Sequence, residues 1–120
     1  MVDGSDTHYS DRITQMGLTL QGINMIGDKV RRIADKVCQG KVVNFAGSGY
    51  DPEGVLFTRG WLASLCGLAG VAFNLKEPYP IPLGHTRDYA ILETRRIVEA
   101  IRATFAPYWK CFASVADLGL

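Results

Sequence analysis

Two short stretches concentrate the residue types that do chemistry. One is Asp3–Arg12, which holds Asp3, Ser5, Asp6, His8, Ser10, Asp11 and Arg12; the other is Gly47–Asp51, which reads Gly-Ser-Gly-Tyr-Asp. Carboxylates and imidazoles are metal-ligand and proton-transfer types, and a phenol is a hydrogen-bond donor. Taken alone, each has a plainer reading. Asp6 reads as a solvated loop or capping carboxylate, Tyr50 as a packed turn aromatic, and His8 and His85 as surface histidines. Gly47-x-Gly49 could cradle a phosphate, but no lysine and no GxGxxG pattern follow it, so that reading is weak.

The elements that must hold these stretches are legible from periodicity. Leu20, Ile23, Ile26, Val30, Ile33 and Val37 recur three or four apart, with Thr19 in front as N-cap and Gly40 behind as a stop. This predicts a helix over 20–38, with Asp28, Arg31, Arg32, Asp35 and Lys36 pairing along its outer face. Lys41–Ala46 is short, β-branched and apolar, which predicts a strand broken by Gly47-Ser48-Gly49. Asp51-Pro52-Glu53 opens a second helix, 53–69, that is apolar nearly all round and must be buried on several sides. Three prolines in Pro78–Pro82 make an extended surface connector. A third helix is expected from Asp88 to Phe105, with Ile91, Ile97 or Val98, Ile101 and Phe105 inward and Glu93/Arg96 and Glu99/Arg102 as outward pairs. If Met1–Asp3 is the tip of a preceding strand, it and 41–46 are parallel neighbours across a helix. The two reactive stretches then fall just past the carboxyl ends of parallel strands, where functional residues of open α/β sheets gather.

Composition excludes several classes. The 120 residues include 13 Lys+Arg and 12 Asp+Glu, a net charge of +1, with 48% hydrophobic and 21% charged residues. That describes an ordinary folded domain without the basic field that nucleic-acid binding requires. Cys38, Cys66 and Cys111 are odd in number and widely spaced, which argues against a disulfide framework and fits a cytoplasmic setting. The N-terminus shows no basic-then-apolar signal pattern. Gly60–Leu75 is uncharged but only 16 residues long, short of the ~20 a membrane span needs, so no membrane partner is expected.

Gly4-Ser5-Asp6, Asp11-Arg12-Ile13, Gly17-Leu18-Thr19-Leu20-Gln21-Gly22, the 41–46 strand with Gly47-Ser48-Gly49-Tyr50, the Glu77–Pro82 run and Ala106-Pro107-Tyr108-Trp109 stand in a specific order and separation. Together they resemble the C-terminal part of zinc-dependent histone deacetylases and acetoin-utilisation deacetylases. The resemblance covers roughly 3–109. It implies an α/β fold, the C-terminal third of a parallel-sheet arginase–deacetylase fold arranged helix–strand–helix–linker–helix. The chain then divides into a partial deacetylase-like domain, 1–109, and an unassigned tail, 110–120. The resemblance further implies Asp6 as a zinc ligand, Tyr50 as the hydroxyl that steadies the oxyanion, and Ile13 and Gly49 as pocket residues. Zinc with three protein ligands keeps a position open for water and an amide carbonyl.

The family's other ligands, an Asp-x-His pair, and its general-base His pair match nothing in this sequence. Asp6-Thr7-His8 spells Asp-x-His, but its flanks match the single-ligand site, and His8 is not carried over. Ser48 stands where the family has glycine; a positive φ there would strain it. Two classes of function follow. The first is a fragment of a deacetylase that cleaves N-acetylated amines once the rest of the fold is present, inactive and without stably bound zinc on its own. The second is a non-catalytic module that self-associates through helix 53–69.

Overall fold

The computed structural model describes residues 1–14, 16–51, 53–86 and 90–110, with the side chains of 85 and 86 left aside. The chain divides into two units, Met1–Pro82 and another beginning at Leu83. The first unit carries β1 (Val2–Asp3), α1 (Leu20–Cys38), β2 (Phe45–Ala46) and α2 (Val55–Ala69). The second carries α3 (Ile91–Phe105). Among the described residues the architecture is α/β, with three helices and one small parallel sheet.

β1 and β2 are parallel neighbours in register Val2–Phe45 and Asp3–Ala46, as the helical crossover predicts. The ladder is shorter than the apolar run 41–46 suggests. β1 offers two residues, and upstream of them the Met1 ammonium reaches Val43 O at 2.7 Å. Just past the strands the backbone pairing continues into the loops, with Gly47 N–H donating to Asp3 O at 2.6 Å and Ser5 N–H to Ser48 O at 2.9 Å.

α1 has the expected bounds because both ends carry local signals. Thr19 Oγ1 accepts from Gly22 N–H at 3.0 Å, and the helix closes through Gln39 and Gly40, both left-handed at φ 57° and 76°. Arg31 pairs with Asp28 and Asp35, and Arg32 with Asp28, along the outer face. α2 starts at Val55, two residues later than the sequence suggests. Gly54 sits at φ 69°, a left-handed conformation that a right-handed turn cannot pass through. Asp51 still serves the helix start, since its carboxylate accepts from Leu56 N–H at 2.7 Å and Glu53 N–H at 3.2 Å. Pro52 lies outside the described residues.

α1 and α2 pack with almost no space between backbones. Gly27 and Gly67 face the opposing helix; a Cβ on Gly27 would stand 2.5 Å from Ser64 O, and one on Gly67 would collide with Asn24 O. Asn24 Nδ2 donates across the crossing to Ala63 O at 2.9 Å. The core around this crossing is Leu20, Ile23 and Ala63, with Leu18 and Phe73 against it and Leu56 buried nearby.

Burial is more one-sided than periodicity implies. The buried positions of α1 are Leu20, Ile23, Gly27 and Ala34, while Ile26, Ile33 and Val37 are exposed. α2 buries Leu56, Ala63, Ser64 and Gly67 and leaves Leu62 and Leu65 exposed. α3 buries no residue: Ile91, Ile97, Ile101 and Phe105, expected inward, are all exposed. Its Glu93–Arg96 pair forms at 2.6 Å. The Asp88 start lies outside the described residues, as does the tail beyond Lys110. No described helix is long and apolar enough to cross a membrane.

The glycine crossing yields a directional test. Gly67→Ala forces a methyl into backbone that cannot rotate away, at a cost of about 1–3 kcal/mol, which exceeds the ~1 kcal/mol that Ala gains as a helix former. Gly22→Ala, whose Cβ would meet nothing nearer than 3.5 Å, gains instead. Urea unfolding of the two variants should therefore shift the midpoint in opposite directions.

Candidate functional site

The loop after β1 starts with a 3-10 turn, Ser5–Thr7, that carries Asp6 half-buried. It turns through Asp11 and returns to a parallel bridge between His8 and Leu18, with Tyr9 N–H to Leu18 O at 2.8 Å and Leu18 N–H to Thr7 O at 2.9 Å. Tyr50 follows β2 on the neighbouring loop, with its side chain 48% exposed. The carboxyl-end loops of adjacent parallel strands thus bring the Asp6 and Tyr50 segments side by side. Ile13 is exposed on the outside of the first loop.

Ser5 is fully buried between Gly49 and Gly60; a Cβ on either glycine would collide with its side chain. Gly49 is thereby required for close approach rather than for φ, since it is not among the glycines with positive φ. Ser48 does not carry the strain considered for it either. Gln39 is the one non-glycine with positive φ among the described residues.

Asp11 is 2% exposed, yet both its carboxylate oxygens are occupied. Oδ1 accepts from Ile13 N–H at 2.8 Å and Thr14 N–H at 2.9 Å, and Oδ2 accepts from Tyr50 N–H at 3.0 Å. Burial pushes this carboxyl up, but the hydrogen bonds from Thr14, Ile13 and Tyr50 outweigh it and hold the group below its ordinary value. Asp51 is also held low, first by Leu56 N–H and against the opposing effect of burial.

His8 corrects the sequence reading: it is 0% exposed, not a surface histidine. Ser10 N–H donates to Nδ1 at 3.2 Å, which leaves Nε2 as the ring N–H that donates to Glu77 Oε2 at 2.7 Å. Glu77 Oε1 accepts from Leu20 N–H at 2.8 Å, so one side chain serves both His8 and the first turn of α1. The proline-rich run is therefore more than a surface connector; Glu77 and Tyr79 are half-buried, and Tyr9 donates its hydroxyl to Tyr79 O. Beside it, Ser10, Arg12, Asp51, Glu53 and Tyr79 line a polar cleft of about 250 Å³. Asp11 and Glu77 stand inside the family-like motifs, but no spacing rule marks them as the carboxylates that hold the loops.

Among the described residues no three His, Cys, Asp or Glu side chains come together as a metal set. Among the described residues Asp6 belongs to no such set, and the His8 ring is committed to Glu77 and Ser10. These residues on their own do not fit a catalytic zinc, which needs three protein ligands.

The depressed Asp11 and Asp51 carboxyls set a pH dependence. A group whose folded pKa lies below its unfolded value stabilises the fold above the unfolded pKa and loses that contribution as pH falls through the folded one. The contribution of these two carboxyls should be fully present above about pH 5 and fall progressively below about pH 4. Asp11→Asn should lower the urea midpoint at pH 6 and weaken the fall on acidification.

The chain is 33% identical to a probable deacetylase of Archaeoglobus fulgidus over 112 residues, 91% of this chain and 31% of that protein. It is 39% identical to the acetoin utilization protein AcuC of Staphylococcus xylosus over 69 residues, and 40% identical to AcuC of Staphylococcus aureus strain Mu50 over 50 residues. These matches cover 58% and 42% of this chain and 18% and 13% of the two relatives. The chain thus spans about a third or less of the length of the curated relatives it matches. No protein-family profile matches it, and neither does any solved structure. With the order of its motifs, this makes the chain a partial deacetylase-family segment.

Proposed function

We propose that this segment contributes to hydrolysis of the amide of N-acetylated amines when the rest of a deacetylase fold is present, and that it is inactive alone. The reading treats 1–109 as the C-terminal part of that fold and 110–120 as a tail outside it. The observation that carries it is the joining of the Asp6 and Tyr50 loops at the carboxyl ends of parallel strands, the usual place for functional residues in open α/β sheets. Tyr50 is the donor to the oxyanion that forms as the amide carbonyl becomes tetrahedral. Asp6 is one carboxylate of a zinc set whose other members lie outside this chain, and Ile13 and Gly49 border the pocket. Zinc would supply Lewis acidity and an activated water.

Zinc-supplemented assays of the chain alone should show no turnover of acetyl-lysine peptides or acetylpolyamines. In an assembly with the missing portion, Tyr50→Phe should cost about 2.7–4 kcal/mol of transition-state stabilisation, as for loss of one oxyanion donor. Robust turnover by the chain alone, or an assembly indifferent to Tyr50→Phe, would overturn the reading.

A second reading, a non-catalytic module that self-associates through α2, is favoured by one observation. Leu62 and Leu65 are 46% and 48% exposed on that helix. A two-fold dimer is the commonest closed arrangement. Trp61 is a poor probe of it because it is half-buried and packed on Phe57, with ring centroids 3.8 Å apart. Sedimentation at micromolar concentration should show a dimer that Leu65→Glu dissociates. A cooperatively folded wild-type monomer would eliminate this reading.

A further inference from the structure

The Asp11 carboxylate does two separable things. Oδ1 closes a local turn by accepting from Ile13 and Thr14 N–H, a contact within four residues of chain. Oδ2 reaches 39 residues along the sequence to Tyr50 N–H at 3.0 Å. Local turn formation needs one oxygen, so the second contact is not explained by it. The buried anion also sits against Thr14, whose Oγ1 lies within hydrogen-bond distance of both Asp11 Oδ1, at 2.9 Å, and Asp6 O. The hydroxyl has one proton for two acceptors, so it donates to one of them at a time, and the direct tie between the two loops is the Asp11 carboxylate, carried on the Asp6 loop, accepting from Tyr50 N–H.

We propose that Asp11 is a positioning residue that fixes the Tyr50 backbone against the Asp6 loop, and so sets where the Tyr50 phenol stands. This deepens the proposed function and rests on it for the importance of the phenol. The chemistry requires a carboxylate. Backbone N–H donors meet both oxygens, and an amide in this position would turn its NH₂ toward one of those donors. A hydrogen bond to a buried anion is also among the stronger kinds.

The test uses the intact, isotope-labelled 120-residue chain and reads amide hydrogen exchange and the Tyr50 ring resonances by NMR at pH 6–7. Tyr50 N–H should be protected in the wild type. In Asp11→Asn its exchange should accelerate about 10- to 100-fold and the Tyr50 ring signals should move, while amides inside α1 keep their protection. Thr14→Val, which removes the hydroxyl and leaves Oδ2 in place, should preserve both Tyr50 readouts. Two results would overturn the proposal: an unprotected Tyr50 amide in the wild type alongside protected α1 amides, or an Asp11→Asn chain whose Tyr50 amide and ring are unchanged. If Asp11→Asn also strips α1 of protection, the wild-type exchange and Thr14→Val decide. A ring shift in Thr14→Val equal to that in Asp11→Asn would assign Asp11 to the local turn only. None of these readouts involves turnover, so they stand or fall separately from the amidohydrolase reading.

Discussion

The fold of the first unit depends on the close approach of Ser5 to two glycines. Its side chain occupies the space that a Cβ on Gly49 or Gly60 would need. That contact brings the end of β1, the loop after β2 and the middle of α2 to one point. A parallel pair only two residues long has little stability of its own. The pair persists because its loops continue the pairing, from Gly47 to Asp3 and from Ser5 to Ser48, and because α2 backs them at Gly60.

Carboxylates, Asp11 buried and Glu77 half-buried, take over where the apolar core is thin. The core near the helix crossing rests on Leu20, Ile23 and Ala63, too few large side chains to hold long loops in place. Asp11 and Glu77 each collect donors from segments distant in sequence: Asp11 from its own turn and Tyr50, Glu77 from His8 and the start of α1. A buried anion is costly unless its donors are already in position. Each of these carboxylates therefore ties its partners to one geometry, and removing any one donor leaves charge uncompensated. For Asp11, whose carboxyl is held below its ordinary value, that rigidity brings sensitivity to acid.

What was legible in the sequence follows from how local each cause is. α1 was readable to its end residues because Thr19 and the Gln39–Gly40 reversal act within one turn of the helix. The parallel strand pair was readable because a helix between two short apolar runs leaves few alternatives. The start of α2 was misplaced because Asp-Pro-Glu imitates an N-terminus, while the conformation of Gly54 decides it two residues later. The burial of His8 was missed because its partner is 69 residues away in a stretch that looks like a connector. Asp6 and Tyr50 could be named only by resemblance, since neither has a distinguishing neighbour in the sequence.

The exposed apolar side chains complete the physical account. Ile26, Ile33 and Val37 keep helical spacing on α1 but are exposed, and so are Val43 and Phe45 in and beside β2. Each large apolar side chain left wet forgoes roughly 1.5–3 kcal/mol relative to burial. Periodicity records that a face is built to be covered and carries nothing about the cover. The same pattern arises whether a helix packs on its own chain, on a second copy or on the remainder of a protein three times as long. On α1 the inward assignment holds for Leu20 and Ile23, which are buried in one cluster with Ala63 of α2. For α3, whose apolar positions are spaced as regularly as those of α1, the same rule named Ile91, Ile101 and Phe105 as inward, and each of the three is exposed.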